Sequence, residues 1–558
     1  MASLTKRKVN GKIYYYLVES QRINGKPRLV KQKYLGRADQ VVARLEAGPP
    51  TPTKVTVAEY GGSMALLRIA ERLRVVDHID AVAPKRDQGP SVGQYLLVAA
   101  INRALAPTSK TKIADWYQRT ALYHQFPFRA AELASQRFWD HMGYIDTSRI
   151  QAIETRLTQH MVREFGLDLE TVVYDATNFY TWLDTMTPSE LAQRGHQKQH
   201  RTDLRAVGLA LMVTTDFNIP LFHAVYPGNR ADSQEFHTVT EDLIARYRAL
   251  CDTCQSVTIV YDKGNNSQAN QAQIDTSPLH FVGSLKANQV PDLLEVASDH
   301  FRPLTGADFG GVTAYRTERE ILGERRTVVV TYNEALYLGQ WQGELLRLRK
   351  LNERLHTIQA RLADSPHRRP TVDAVQKRVD AALAKAGPPE RHWVTVTVTD
   401  TDTGPRLAYH IDHAACEAWG HTHWGKTLLF TDRHDWTTEQ IVTAYREAWH
   451  IEQTFRTMKQ SSWLHWQPQF HWTDDKIRVH AFICVLAVTL VHLLRRECAH
   501  GGMEVSVAEL LEDLTTIEEV LYHYPAGSDL DAYLTLTERT ERQQKLLDLL
   551  AIPVTFTK

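Results

Sequence analysis

The 558-residue sequence predicts an α/β protein whose central part is a mixed sheet. Three observations favour this fold class. Short apolar runs, several of them ending in Asp or Gly, recur after residue 170 as strands do. A long helical pattern precedes them, and further helical repeats lie between and after them. Hydrophobic residues make up 43% and charged residues 23% of the chain, which is typical of a globular protein. The length predicts several domains.

The first predicted domain, residues 1–48, is basic and rich in strands. The runs KIYYYLVES and RLVKQKYLG flank Asn24-Gly25, which is a hairpin signal. Residues 1–38 hold ten Lys or Arg and a single acidic residue, Glu19. Because the formal net charge of the chain is zero, nucleic-acid binding would depend on local patches of this kind. A solvated charge run remains the alternative.

A helical domain is predicted over residues 54–165, after the linker PPTPT. Helices of this kind often form DNA-binding domains, and an interaction domain is equally allowed. Together with residues 1–48, this domain is predicted to form an N-terminal DNA-binding region that combines a β-hairpin with helices. The last predicted region, residues 501–558, is helical.

The first part of the core is predicted over residues 166–292. TVVYDAT, RAVGLALMVTTD and IPLFHAVYPG read as three strands, and a helix is expected over residues 232–250. SVTIVYDKG and HFVGSLK then supply two more strands. The order of three strands, a helix and a strand, with Asp175 on the first strand and Asp262 just after the fourth, is that of an RNase H-like core.

An insertion is predicted over residues 293–424, between the two parts of this core. It combines strands with a helical hairpin, because Leu348, Leu351 and Leu355 continue a coiled-coil-like seam that SPHRRP interrupts. The second part of the core, residues 425–500, begins with the strand KTLLFTD. A helix that opens at Thr437 or Thr438 then carries Glu452.

The sequence predicts a cytoplasmic protein without a membrane span. AFICVLAVTLVHLL (481–494) is shorter than a span and reads as a buried core helix, and no signal peptide is evident. The five Cys include one C-x-x-C pair, Cys251 and Cys254, without a second zinc-type pair. GHTHWGKT (420–427) fits a phosphate-loop pattern, but a helical stretch precedes it and a strand follows, so no nucleotide cofactor is expected.

Asp175, Asp262 and Glu452 are the candidate catalytic and metal-binding residues. In-line cleavage of a phosphodiester needs charge neutralisation at the attacking and leaving oxygens, which two divalent ions can supply. Magnesium prefers carboxylate oxygens and water, so Asp and Glu are the expected ligands. Asp203 and Asp232 are rivals outside this trio, because neither follows a buried-strand pattern.

The helix over YREAWHIEQTFRTMKQ (445–460) is predicted to carry one polar stripe. At 100° per residue, Tyr445, Trp449, Glu452, Arg456 and Lys459 share a face. A surface helix with a Glu–Arg pair is the simpler reading of this helix alone. The basic residues of the stripe would contact phosphates, which positions DNA without reading its sequence.

The segments VYDAT, IVYDKGN and YREAWHIEQTFRTMK resemble bacterial insertion-sequence DDE transposases, of the subgroup with the signature Y-x2-R-x3-E-x6-K. RGHQKQHRTDLRAVGLALMVT and YPGNRADSQEF resemble this subgroup too. The resemblance spans residues 170–490. It implies that Asp175, Asp262 and Glu452 form the metal-binding triad.

The same resemblance assigns the signature residues. Tyr445 matches the signature Tyr and Lys459 its Lys, whereas Ala448 stands at the signature Arg position, with Arg446 and Arg456 as nearby basic residues. These residues are the candidate DNA contacts.

The expected function is cut-and-paste transposition. The enzyme would bind terminal inverted repeats as a homodimer on paired ends, cleave with two divalent metal ions, magnesium or manganese, and join the ends to target DNA. Two alternatives stay open: an RNase H-like nuclease without joining activity, and an inactive transposase-derived DNA-binding protein.

Overall fold

The structure is a computed structural model that describes residues 2–23, 26–46, 51–83, 89–195, 201, 203–230, 241–242, 245–247, 257–262, 266–363, 370–387, 393–402, 404–460, 462–525 and 530–554. The chain forms two compact units. The terminal unit contains residues 1–68, 114–131 and 497–558, and the core unit contains residues 69–113 and 132–496.

The strands and helices of the described residues are numbered in chain order. The strands are β1 (Ala2–Val9), β2 (Lys12–Ile23), β3 (Lys26–Gly36), β4 (Lys54–Glu59), β5 (Thr171–Thr181), β6 (Arg205–Thr214), β7 (Pro220–Pro227), β8 (Thr258–Tyr261), β9 (His280–Ser284), β10 (Arg302–Pro303), β11 (Val312–Ile321), β12 (Glu324–Asn333), β13 (Val394–Thr401), β14 (Gly404–Ile411), β15 (Lys426–Thr431), β16 (Glu518–His523) and β17 (Tyr533–Leu536). The α-helices are α1 (Ala38–Glu46), α2 (Gly61–Arg72), α3 (Val75–Val82), α4 (Val92–Leu105), α5 (Ile113–Tyr117), α6 (Ser135–Met142), α7 (Thr147–Phe165), α8 (Gln268–Asp275), α9 (Pro291–Leu294), α10 (Glu334–Ala363), α11 (Val372–Ala384), α12 (His413–His423), α13 (Thr438–Glu447), α14 (Trp449–Gln460), α15 (Asp474–His500), α16 (Val507–Thr515) and α17 (Glu541–Leu549). Single 3-10 turns are Lys110–Lys112, Ala121–His124, Ala130–Leu133, Ala287–Gln289, Ser298–His300 and Ala307–Phe309.

The terminal unit contains two small antiparallel sheets. β1, β2 and β3 form the first, in which β2 and β3 pair as the sequence predicts, although the turn at residues 24–25 lies outside the described residues. The second has the order β17-β16-β4. Its strand β4 opens the region predicted as helical over 54–165. Residues 501–558, also predicted as helical, form α16 and α17 but supply β16 and β17 as well, since β16 pairs in register with β4.

The core unit is built on a nine-stranded mixed sheet, which agrees with the predicted α/β class. The strand order is β10-β11-β12-β15-β9-β8-β5-β6-β7. β5, β8 and β9 run parallel, and the other neighbours pair antiparallel. Nearly every residue of β5 and β6 is buried, as expected for strands covered on both faces.

The segment predicted as one insertion, residues 293–424, divides into two parts in the structure. β11 and β12 extend the core sheet, because β12 pairs with β15 over six residues from Thr327 to Tyr332. β13, β14, α10 and α11 lie outside that sheet. The helical hairpin forms as predicted, with Leu351, Leu355 and Val379 buried in its own core, while most of SPHRRP lies outside the described residues.

The predicted buried helix is the longer α15. Among the described residues, this one helix is long and apolar enough to cross a membrane, and 94% of its most apolar stretch is buried within the protein. Its apolar surface is therefore already covered by the fold. The predicted helix over 232–250 and the pair Cys251 and Cys254 lie wholly or largely outside the described residues.

Candidate active site

Two neighbouring strands hold Asp175 and Asp262 at the same level. β5 and β8 run parallel with Val173 opposite Val260, so each Asp stands two residues beyond that pair. Because side chains alternate along a strand, both carboxylates emerge on the same face of the sheet. The two V-Y-D runs of the sequence, which end at Asp175 and Asp262, thus lie side by side at the same level of the sheet.

The hydroxyl groups of Ser284 and Tyr445 hold the Asp262 carboxylate. Gly283 of β9 pairs with Tyr261 of β8, so Ser284 follows at the level of Asp262. Ser284 Oγ donates to Asp262 Oδ1 over 3.1 Å, and the Tyr445 hydroxyl donates to the same oxygen over 3.0 Å. Ser284 carries no signal of its own in the sequence, because only the register between β8 and β9 brings it to Asp262.

Glu452 comes from a helix that begins later than predicted. Thr437 caps α13 as expected, but the predicted single helix is wrong, because it is interrupted at Ala448. There the amide of Ile451 donates to the Ala448 carbonyl over 3.3 Å, a tighter turn than the α-helix makes. The polar face that was predicted with a constant 100° rotation per residue therefore does not continue from α13 into α14. Glu452 consequently lies in the first turn of α14, where the helix dipole stabilises a carboxylate.

The three carboxylates line one cavity of 480 Å³. Tyr445, the exposed Trp449 and Ala448 lie on the same wall as Glu452. A further part of the lining comes from β11, β12 and the start of α10, namely Val312, Thr331, Asn333 and Leu336. The structure therefore brings the predicted trio together and adds the insertion strands to its surroundings.

Comparison with known proteins identifies the family. Residues 167–490, more than half of the chain, match the family model described as the transposase DDE domain. The chain belongs to the DDE transposases. No curated protein matches it. Among solved structures, a cryo-EM structure of the piggyBac transposase synaptic complex with hairpin DNA is similar at 9% identity and a TM-score of 0.33, covering 82% of this chain and 80% of that one.

The predicted DNA contacts of this transposase fall into different environments. Arg446 lines the cavity, but its guanidinium donates to the Asp308 carbonyl oxygen over 2.7 Å. Lys459 donates to the Thr177 hydroxyl, two residues beyond Asp175 on β5. Arg456 is exposed. The structure thus gives Arg446 and Lys459 intramolecular partners and leaves Arg456 facing solvent.

Tyr445 is a half-buried partner of the Asp262 carboxylate. Burial raises its pKa well above the ordinary value, and the neighbouring charge of Asp262 raises it further. The hydroxyl therefore keeps its proton at any physiological pH and remains a donor to Asp262.

The carboxylate oxygens of this cavity are ligands of the kind that divalent metal ions such as magnesium prefer. Among the described residues, no group of three or more His, Cys, Asp or Glu side chains lies close enough to hold one ion. Magnesium does not need such a group, because it binds through one or two carboxylates and keeps water or phosphate oxygens as further ligands. DDE transposases generally use divalent metal ions. Asp175, Asp262 and Glu452 are the residues of this cavity that would hold such ions.

The rival sites lie apart from this cavity or outside the described residues. Asp203 pairs with the Arg201 guanidinium over 2.8 Å and does not line the cavity, while Asp232 is not described. The phosphate-loop pattern 420–427 spans the end of α12 and the start of β15, the reverse of the strand-to-helix order that cradles a phosphate.

Proposed function

We propose that the chain is the transposase of a bacterial insertion sequence of the Y-R-E-K signature group, and that it performs cut-and-paste transposition. It binds the terminal inverted repeats of its own element, cleaves a strand at each end, and joins the freed 3′ ends to target DNA. The observation that carries the proposal is the shared level of Asp175 and Asp262 on parallel strands, with Glu452 on the wall of the same cavity.

The core is proposed to be RNase H-like. Its support is the sheet order β7-β6-β5-β8-β9, antiparallel through the first three strands and parallel through the last three. In this arrangement the central strand carries the first Asp and its parallel neighbour leads into the second.

The chemistry proceeds by two in-line displacements at phosphorus. Water attacks the phosphorus at the element end, the bond to the 3′ oxygen breaks, and the leaving oxygen takes a proton to become a 3′-hydroxyl. That hydroxyl then attacks a target phosphorus and displaces a target 3′ oxygen. Asp175, Asp262 and Glu452 would hold divalent metal ions, whose charge would stabilise the attacking and leaving oxygens.

The residues of the chain position the carboxylate groups and form no covalent bond with the DNA. Asp175 and Asp262 hold ligand oxygens side by side on rigid strands, and Ser284 and Tyr445 fix the orientation of Asp262. Glu452 approaches from the first turn of α14.

DNA recognition is assigned to the N-terminal regions. The sheet β1-β2-β3 exposes most of its Lys and Arg side chains, and Arg7 lies 5.3 Å from the centre of the Tyr16 ring. Basic and aromatic side chains on an exposed sheet suit phosphate and base contacts. We propose that two copies act together, one on each end.

The test is a cleavage-and-joining assay with magnesium on DNA that carries the element's own ends. Wild type is compared with Glu452→Gln, and Glu447→Gln serves as the matched control, since Glu447 precedes α14 and does not line the cavity. We expect joined products from wild type and from the control, and none from Glu452→Gln.

The other outcomes identify the alternatives. Cleavage without joining in wild type would replace the proposal by a nuclease. Binding of the ends with no chemistry in any variant would indicate an inactive, transposase-derived DNA-binding protein. Equal activity of Glu452→Gln and wild type would remove Glu452 from the metal site.

A further inference from the structure

A second cavity of the core unit has basic and aromatic walls. It encloses 340 Å³ between α4, α6 and the segment 468–472 that follows the catalytic helix α14. No Asp or Glu is among the described residues that line it, whereas Arg103, Lys110 and His471 are. A cavity with this charge pattern suits an anionic ligand.

Two cations in this cavity are buried without a carboxylate partner among the described residues. Arg103 is 1% exposed, and its guanidinium donates to the carbonyl oxygens of His465, Gln467 and Thr108, which carry no charge. The Lys110 ammonium nitrogen is buried and has no hydrogen-bond partner in the described part of the chain. An unpaired buried charge is costly, so an anion that reached this ammonium would be bound favourably.

His471 adds an unsatisfied polar atom to the same wall. Its side chain is 7% exposed, and no described residue bonds to its Nδ1 atom. Three groups of different chemistry therefore meet in one place, each with hydrogen-bonding capacity or charge that the described residues leave uncompensated.

Aromatic rings form the rest of the cavity. Trp139 and Trp472 stack with ring centres 4.2 Å apart, and Phe470 and Trp472 expose 63% and 54% of their surface. Exposed aromatic rings beside cations are what proteins use to bind unpaired nucleotides, because the ring stacks on a base while the cation meets its phosphate.

The cavity is continuous in the chain with the catalytic helix. The Trp466 amide donates to the Met458 carbonyl of α14 over 2.8 Å, and the buried Trp466 ring stacks on Phe179 of β5. The segment that reaches the cavity thus begins on the helix and strand that carry the proposed metal ligands.

We propose that this cavity binds one unpaired nucleotide of the DNA, outside the cleavage position, with its phosphate at Lys110 and His471 and its base on Phe470 and Trp472. The proposal rests on the proposed function, since that function supplies DNA as the ligand. Trp424 of the insertion is less suited to stacking on a base, because it is 5% exposed and packs on Trp341.

The burial of Lys110 gives binding at this cavity a pH dependence. Burial, together with the charge of Arg103, lowers the pKa of Lys110 to about 7. The surrounding groups titrate elsewhere: burial holds the pKa of His471 and of His480 well below the ordinary value and raises the pKa of Cys484 to about 11. A bound phosphate would favour the charged ammonium, so affinity should fall as the pH rises above 7.

The experiment measures fluorescence anisotropy of a labelled single-stranded oligonucleotide with the full chain. Lys110→Met tests the phosphate contact, and Lys112→Met is its matched control, because Lys112 is exposed and does not line the cavity. We expect Lys110→Met to weaken binding roughly tenfold at pH 6.5 and to flatten the pH dependence, whereas the control changes affinity only slightly. Burial also lowers the pKa of Lys476, so the pH profile of wild type alone does not identify the titrating group. The difference between the pH profiles of Lys110→Met and Lys112→Met identifies it.

Trp472→Ala tests the base contact and does not depend on the folding of the Lys110 variant. Wild type should bind an ordinary oligonucleotide roughly tenfold more tightly than an abasic one, and the variant should lose this preference. Equal effects of Lys110→Met and Lys112→Met, or an unchanged preference in Trp472→Ala, would overturn the proposal.

The binding assay separates this proposal from the proposed function. Glu452→Gln should bind the oligonucleotide as wild type does even though it makes no product. If the variants change oligonucleotide binding as expected but wild type neither cleaves nor joins DNA, the nucleotide-binding cavity would stand and the proposed transposase activity would be rejected.

Discussion

Replacing Tyr445 by Phe should weaken metal binding at the active site more than DNA binding. The Tyr445 hydroxyl donates to Asp262 Oδ1 over 3.0 Å and lies 3.0 Å from Ser284 Oγ, so it fixes the carboxylate that would hold a metal ion. Phe keeps the ring and its packing and removes only this donor. The substitution therefore removes the contacts of the hydroxyl with Asp262 and Ser284 and leaves the ring in place.

The size of the effect follows from the kind of bond that is lost. A hydrogen bond to a charged group contributes about 1.5–3 kcal/mol. Groups that orient a metal ligand typically change metal affinity or activity by roughly 10- to 100-fold, which is a consistent range. We expect the magnesium concentration for half-maximal cleavage to rise by about this factor.

The assay titrates magnesium in the cleavage reaction and measures affinity for the element ends separately. Ser284→Ala removes the second donor to the same oxygen and should act in the same direction. The reasoning would be refuted if Tyr445→Phe left the magnesium titration unchanged and weakened DNA binding. Tyr445 would then be a DNA contact, as the signature resemblance implies.

Three further expectations concern other parts of the chain. Ala448→Arg restores the signature residue at the cavity wall and should tighten binding of the element ends, with a steeper dependence on salt, in a titration at several salt concentrations. Burial raises the pKa of Glu59 to about 7, so the free energy of unfolding should fall as pH rises between the unfolded value near 4.5 and 7, and Glu59→Gln should abolish that slope in chemical denaturation. Leu355→Ala removes a fully buried side chain from the helical hairpin and should destabilise it by about 2–5 kcal/mol, seen as faster amide exchange in α10 and α11 than in β5.

β5 and β8, the strands that place Asp175 and Asp262, were predictable because the residues that indicate each strand are adjacent in the sequence. Asp175 and Asp262 follow apolar runs of strand length, and a sequence distance of 87 residues separates both the two Asp residues and the paired Val173 and Val260. The class of fold, the helical hairpin and the buried helix α15 were likewise evident from periodicity. Each of these features is encoded within a short window of sequence.

Features that depend on long-range pairing were not predictable. Ser284 joins the site only through the register of β9, and β11 and β12 join the core sheet only because β12 meets β15. The break at Ala448 is invisible to a helical wheel, because no Gly or Pro marks it. The basic cavity needs residues that are more than 350 positions apart, such as Arg103 and the carbonyl of Gln467.

The position of β15 has a consequence for how the protein is made. β15 pairs with β9, and roughly 140 residues separate the two strands in the chain, so at about 5–20 residues per second their synthesis takes about 7–30 seconds. During that interval β9 presents an open edge to the growing chain, and such edges attract incorrect partners. The carboxylates of the two halves meet only after this gap closes. A nascent chain released early would hold both Asp residues on an unfinished sheet and would lack Glu452, one of the three proposed metal ligands.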